Sequence, residues 1–178
     1  TSPALTSARF GRWAAAGRGH LEGSQFLIED FSAQGASGRV ALSGSVAVEA
    51  TAPTDLHVRV EGLDPAALMP ASSLRLSTRV TGSMRWRTTG FDVRAARGEG
   101  SLTLQPGRGP GLKPEGAVRL RVNGRSVAID DARLAAHGAQ VHARLALGTT
   151  TVQGEFDGEL PLESLAPLFA DLGLATRP

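Results

Sequence analysis

Cysteine is absent from all 178 residues. That excludes disulfides, zinc–thiolate sites and cysteine nucleophiles. It leaves the compartment open, because many secreted domains also do without cysteine. Tyrosine is absent too, and aromatics amount to six Phe and two Trp. Aromatic rings supply much of the buried area of a densely filled core, so the apolar content here has to come from Val, Leu and Ala. Lysine occurs once, at Lys113, and Arg carries nearly all the positive charge. No stretch approaches the ~20 apolar residues of a membrane-spanning helix. No secretory leader opens the chain. The first residue is Thr, so the sequence reads as a soluble fragment or processed chain whose parent carries any anchor elsewhere.

Catalytic signatures are missing as well. There is no Gly-x-Ser-x-Gly elbow, and "GRGPGLKP" fails as a phosphate loop because Pro114 follows the lysine where Ser or Thr and a helix are needed. His137 and His142 are predicted to point to opposite faces, and His20 and His57 have no carboxylate or histidine at ligand spacing, so no metal site is expected. The adjacent acids Glu29–Asp30 and Asp130–Asp131 read as strand ends rather than acid–base dyads, since neighbouring strand residues face opposite ways. The expectation is a non-enzyme without cofactor.

What is present is a period of two. "RVALSGSVAV" sets Val40, Leu42, Val46 and Val48 against Arg39, Ser43 and Ser45. "DLHVRV" sets Leu56, Val58 and Val60 against His57 and Arg59, and "SLRLSTRV" sets Leu74, Leu76 and Val80 against Arg75, Ser77 and Arg79. "AVRLRV" sets Val118, Leu120 and Val122 against Arg119 and Arg121. "QVHARLAL" sets Val141, Ala143, Leu145 and Leu147 against His142 and Arg144, and "TVQGEFDGEL" continues with Val152, Phe156 and Leu160. Alternation of this kind predicts strands with one apolar and one wet face. It argues against a parallel α/β sheet, whose strands read as continuous apolar runs. Turn residues recur roughly every ten positions, the spacing of an antiparallel meander of about a dozen strands. Residues 105–116 read as a loop. Helix is predicted only at "LDPAALM", with Asp64 capping and Pro65 in the first turn. A second, kinked segment is expected at "PLESLAPLFADLG", broken by Pro167 and ended by Gly173.

The chain repeats itself. Shifting "GSQFLIEDFSAQGASGRVALSG" by 101 positions lays Ile28 on Ile129, Glu29 on Asp130, Asp30 on Asp131 and Val40 on Val141. The two helical segments match at an offset of 97, Leu68 with Leu165 and Pro70 with Pro167, as a shortened hairpin would give. A weaker echo pairs "GRWAAAG" with "MRWRTTG". We read residues 1–178 as one β-repeat unit, with copies at 24–70 and 125–168, of an architecture that extends by adding units. Ile28 and Ile129 are then expected at equivalent interior positions.

Charge is uneven. Residues 72–125 carry eleven basic and three acidic groups, against five and seven before them and three and seven after. Arg75, Arg79, Arg85, Arg87, Arg119 and Arg121 are expected on the outer faces of neighbouring strands. They read either as a contact for anionic headgroups or an acidic partner, or as a solvated face that guards strand edges. The second reading is the simpler. Stacking aromatics are lacking there apart from Trp86, which is expected to face inward, so nucleic acid is not an expected partner.

The order of "GRVALSGSVAVEATAPTDLHVRVEGLDPAAL" and "VNGRSVAIDDARLAAHGAQVHARLALGTTTVQGEFDGELPLESLAPL" resembles the AsmA-like family. In particular it is similar to the C-terminal part of the translocation and assembly module subunit. Family strands run G-x-V/L-x-L-x-G, followed by I/L-[D/E]-x-L before a Gly turn and then G-x-x-P-L/A-x-x-L. The resemblance spans about residues 20 to 170. It implies an elongated, mostly antiparallel sheet folded lengthwise into a β-taco-like groove with two short helical caps. It also implies a periplasmic location within an inner-membrane-anchored protein of a Gram-negative bacterium, phospholipid acyl chains as cargo, and an outer-membrane barrel protein as a partner. Small and medium aliphatics suit such a groove, because aromatics would fill it. Val40, Leu42, Val46, Val58, Val60, Leu74, Leu76, Leu120, Val122, Val141, Leu145 and Leu147 are the expected lining. The residues alone leave a closed β-sandwich or jelly roll open as the alternative, a structural or protein-binding module working through its sheet edges.

Overall fold

The structure is a computed structural model, and it describes residues 4–7, 11–67, 76–90 and 92–164. Eleven strands form one antiparallel sheet in strict chain order. They are β1 (Ala4–Ser7), β2 (Gly11–Glu22), β3 (Gln25–Gly35), β4 (Gly38–Ala47), β5 (Pro53–Leu63), β6 (Thr78–Thr89), β7 (Arg97–Pro106), β8 (Glu115–Asn123), β9 (Ser126–Ala136), β10 (Ala139–Leu147) and β11 (Val152–Glu159). Three single 3-10 turns, Pro65–Ala67, Val93–Ala95 and Leu162–Ser164, complete the described elements. No second layer packs on the sheet among the described residues, so they form no sandwich. With ten spacings of ~4.8 Å the sheet runs roughly 48 Å across its strands.

Two-residue turns join β2 to β3, β3 to β4, β8 to β9 and β9 to β10. At the last of these His137 (φ 51°) and Gly138 (φ 80°) both take left-handed backbone, the type I′ geometry whose twist matches that of the strands it connects. Asp64 caps the first 3-10 turn as expected, its Oδ1 accepting the Ala66 N–H at 3.0 Å.

A single layer has no sealed interior. No large apolar side chain is fully buried among the described residues. What is most buried is small, or sits where loops fold over strand ends. Thr54 accepts the Ala47 N–H at 2.9 Å beneath the β4–β5 connection. Thr78 Oγ1 lies 2.8 Å from the Gln105 carbonyl and 2.9 Å from that of Pro114, tying down the 107–114 loop.

The structure changes several local expectations. The acid pairs do not end strands. Arg18 pairs with Asp30 and Gly19 with Ile28, leaving Glu29 extra; Arg119 pairs with Asp131 and Leu120 with Ile129, leaving Asp130 extra. Each pair is therefore a β-bulge within a long strand, placing two successive acids on the same wet face. Beside the first bulge lies Gly44 at φ +123°, where a Cβ would run into the Asp55 carbonyl, so only glycine fits. Val48 falls past the end of β4, and Leu76 stands outside the strands in a parallel bridge with Leu112. The two tryptophans of the weaker echo occupy different places, Trp13 near the start of β2 and Trp86 near the end of β6. Leu68, Pro70, Leu74, Arg75, Leu165, Pro167 and Gly173 lie outside the described residues.

The repeat has a structural counterpart. Strands β2, β3 and β4 recur as β8, β9 and β10 at an offset of 101, including both bulges. Ile28 and Ile129 each precede a bulge on the same face of the sheet. Nine residues separate the paired Ser45 and Asp55, and six separate the paired Ala146 and Gln153. That hairpin thus accounts for three of the four positions by which the offset falls to 97. The fourth corresponds to Gly62, the extra residue at the β5–β6 register shift.

Candidate lipid-facing surface

Residues paired across an antiparallel ladder point to the same side, so the register defines the surface. One row runs Ala15, Ala33, Val40, Val60, Gly82, Leu102, Val118, Ala132, Ala143, Phe156. The next runs Gly17, Phe31, Leu42, Val58, Met84, Gly100, Leu120, Ile129, Leu145, Gly154. A third runs Gly19, Ile28, Gly44, Leu56, Trp86, Gly98, Val122, Val127, Leu147, Val152. Each row crosses the ten strands β2–β11 without one polar side chain. Nine spacings make each roughly 43 Å long.

The expected lining residues fall on this face. Val40, Leu42, Val58, Val60, Leu120, Val122, Leu145 and Leu147 stand in the three rows, and Val46 and Val141 stand on the same side beyond them. Nearly all are half-buried; Val122 is covered to 8% exposure, and Val141 is 42% exposed. Alternation within single strands did not reveal Phe26, Phe31 and Met84 as parts of the same surface, although their ladder partners Val46, Leu42 and Val58 had been identified. Glycine is the other missed component. The Phe31 ring lies over Gly17, that of Phe26 over Gly19, and Met84 over Gly98 and Gly100. Over these first strands Ala15, Gly17, Gly19, Phe26, Ile28, Phe31 and Leu42 line an apolar hollow of about 520 Å³.

The opposite face is wet and self-neutralised. Arg79, Arg85, Arg87, Arg119 and Arg121 all lie on it and are exposed. They are not a bare basic stripe. Arg85 makes a two-pronged bond to Asp55 (2.9 and 2.6 Å), which Arg87 joins at 3.3 Å. Arg121 reaches Asp130 at 2.7 Å, and Arg79 donates to the Gly62 carbonyl at 2.9 Å. Chain position hid this, because the acids come from neighbouring strands outside the basic segment. The bulges repeat the chemistry. His20 meets Glu29 at 3.1 Å and Arg18 meets Asp30 at 2.6 Å, matching Arg121 with Asp130 and Arg119 beside Asp131 in the second copy. The expectation that His20 lacks a carboxylate neighbour is thus corrected by register. These exposed pairs are screened by water and contribute little to stability.

A hollow of about 1030 Å³ lies on this wet side. Ser43, Ser45, Ser83 and Ser101 line it together with His20, Glu29, Asp55, His57, Arg85, Glu99 and Arg119. It is open and bedded in paired charges, a surface for water rather than for an apolar ligand. Among the described residues no group of three or more acids and histidines could hold a metal ion.

His142 ties three strands together, with Nε2 at 2.8 Å from Asp131 on β9 and Nδ1 at 3.3 Å from Asp157 on β11. Desolvation opposes ionisation of Asp131. The His142 hydrogen bond and the charges of Arg133, His142 and Arg119 outweigh it and hold the carboxyl below its ordinary value. A depressed carboxyl contributes stability that is present above its unfolded value and lost as pH falls through the folded one. Stability should therefore decline below about pH 5, and the decline should be shallower in Asp131→Asn. Urea midpoints from pH 7 to pH 3 test this, and parallel curves for the two proteins would refute it.

Comparison with protein-family models, curated proteins and solved structures finds no match to this chain.

Proposed function

We propose that this chain is a non-enzymatic lipid-conducting module of a periplasm-spanning envelope-biogenesis protein, one that moves phospholipid between inner and outer membranes. The observation that supports this best is the set of three unbroken apolar rows, which cross ten strands on a face that nothing covers among the described residues. A monomeric soluble protein rarely exposes so long an apolar surface unless the surface is used. Its medium aliphatics and ring-covered glycines form a track rather than a packed core. An acyl chain laid along it gains about 0.8 kcal/mol for each methylene removed from water. The sequence resemblance to the AsmA-like family points the same way, and with it the inner-membrane anchor of the parent protein and an outer-membrane barrel as partner.

Lipid capture is the test. Photo-crosslinking side chains at Leu42, Val58 and Leu120 in the full-length protein should trap phospholipid in cells. The same side chain at the wet-face Ser43, Ser83 and Ser101 should not. Equal yields on the two faces, or none on the apolar one, would remove the proposal.

A further inference from the structure

Among the described residues β11 is the last strand of the sheet. Its inner edge pairs with β10, and among the described residues its outer edge pairs with nothing. Every residue of the strand is exposed, Phe156 to 82% and Val152 to 72%. Eight residues long, it contains no proline, no lysine and no inward-facing charge, and its only charged side chains are the carboxylates Glu155, Asp157 and Glu159.

The repeat shows what such a strand accepts. In the first copy β5 holds the position of β11, since Arg39 faces Glu61 as Gln140 faces Glu159. The outer edge of β5 is covered by β6, which brings Arg85 and Arg87 onto Asp55, the counterpart of Gln153, and sets Arg85 opposite His57, the counterpart of Glu155. The wet face of β11 offers Gln153, Glu155, Asp157 and Glu159. Asp157 has the half-buried His142 at 3.3 Å, Glu155 faces Arg144 across the ladder, and Glu159 faces the neutral Gln140. A second copy fits poorly. Symmetric antiparallel pairing about Phe156 would set Glu155 of each chain against Asp157 of the other, like charge against like at two positions.

We propose that the outer edge of β11 docks an added antiparallel β-strand that alternates Arg or Lys on its wet face with apolar residues on the other. Backbone ladder bonds supply affinity, the three acids select a basic partner, and the apolar rows continue onto the new strand. This inference stands apart from the lipid reading, and its test contains no lipid.

The probe is a synthetic peptide of residues 78–89, TRVTGSMRWRTT, added to the full chain. Amide exchange followed by NMR should show at least tenfold protection of the β11 amides that point away from β10. Binding should weaken as salt rises, because the selecting charges are exposed. The peptide carrying Arg79→Glu, Arg85→Glu and Arg87→Glu should bind at least tenfold more weakly, as should the wild-type peptide to the chain carrying Glu155→Gln and Glu159→Gln. Because the chain has no cysteine, Phe156→Cys gives a unique site for disulfide capture of a cysteine-bearing peptide. Equal binding of the acidic peptide, protection at β5 through displacement of β6, no protection at all, or self-association through β11 would each overturn the proposal.

Discussion

Leu120→Glu and Leu145→Glu should each abolish lipid capture while lowering stability by no more than about 1–2 kcal/mol. Both leucines stand in the middle row, Leu120 between Gly100 and Ile129, and Leu145 between Ile129 and Gly154. Both are half-buried by neighbours within the sheet, and no described residue forms a layer above them. A glutamate there forfeits part of a leucine's burial, but its carboxylate remains in water. In a sealed core the same change would strand an unpaired charge and cost several kcal/mol more. For an acyl chain the balance reverses. A carboxylate in mid-track must be desolvated or bypassed at every passage, while Leu120→Ala leaves the track apolar and should retain capture. Denaturant midpoints measured beside crosslinking yields separate the two effects. Outright unfolding of either glutamate variant would mean that the face is sealed. Undiminished crosslinking would mean that the lipid travels elsewhere.

The alternation of "RVALSGSVAV", "AVRLRV" and "QVHARLAL" made the two faces legible, because side-chain direction along a strand is a local property with a fixed period. That the strands would pair in chain order followed from short, evenly spaced turns. The bulges were not legible. Whether Asp130–Asp131 ends a strand or interrupts one depends on what lies opposite, and Arg119, Leu120 and Ala143 are distant in sequence. The charge map was misleading for the same reason. Arg85 and Arg87 belong to a segment with an excess of eight positive charges by sequence, yet their carboxylate is Asp55, thirty residues back and one strand away. Glycine carried the least warning. In the sheet Gly17, Gly19 and Gly100 are low points over which Phe31, Phe26 and Met84 lie. The 101-residue offset was visible as similar letters. Its physical content is a two-acid bulge flanked by two basic side chains of the preceding strand, and it emerged only with the register.

The bulge also makes neighbouring deletions unequal. Removing Asp130 should cost about 1 kcal/mol or less and leave lipid capture intact. Asp130 is the extra residue. Without it Ile129, Asp131 and Ala132 alternate regularly against Leu120, Arg119 and Val118, and no side chain changes face. The loss is one exposed ion pair with Arg121. Removing Arg133, three positions on, has no such remedy, because a one-residue slip turns side chains over. Either Leu134 moves to the wet side, away from Val141, or the bulge is consumed and Asp131 swings onto the apolar face between Val118 and Ala143. The second outcome also dissolves the His142–Asp131 bond that ties β9 to β10. Both place the wrong chemistry on the track, so this deletion should cost at least about 2 kcal/mol and extinguish lipid capture. Urea midpoints, with the cross-strand contacts of Ala132 and Leu134 followed by NMR, distinguish the cases. Equal penalties for the two deletions would show that Glu29–Asp30 and Asp130–Asp131 are not register-absorbing bulges, and that the faces of β3 and β9 are set by something other than the ladder.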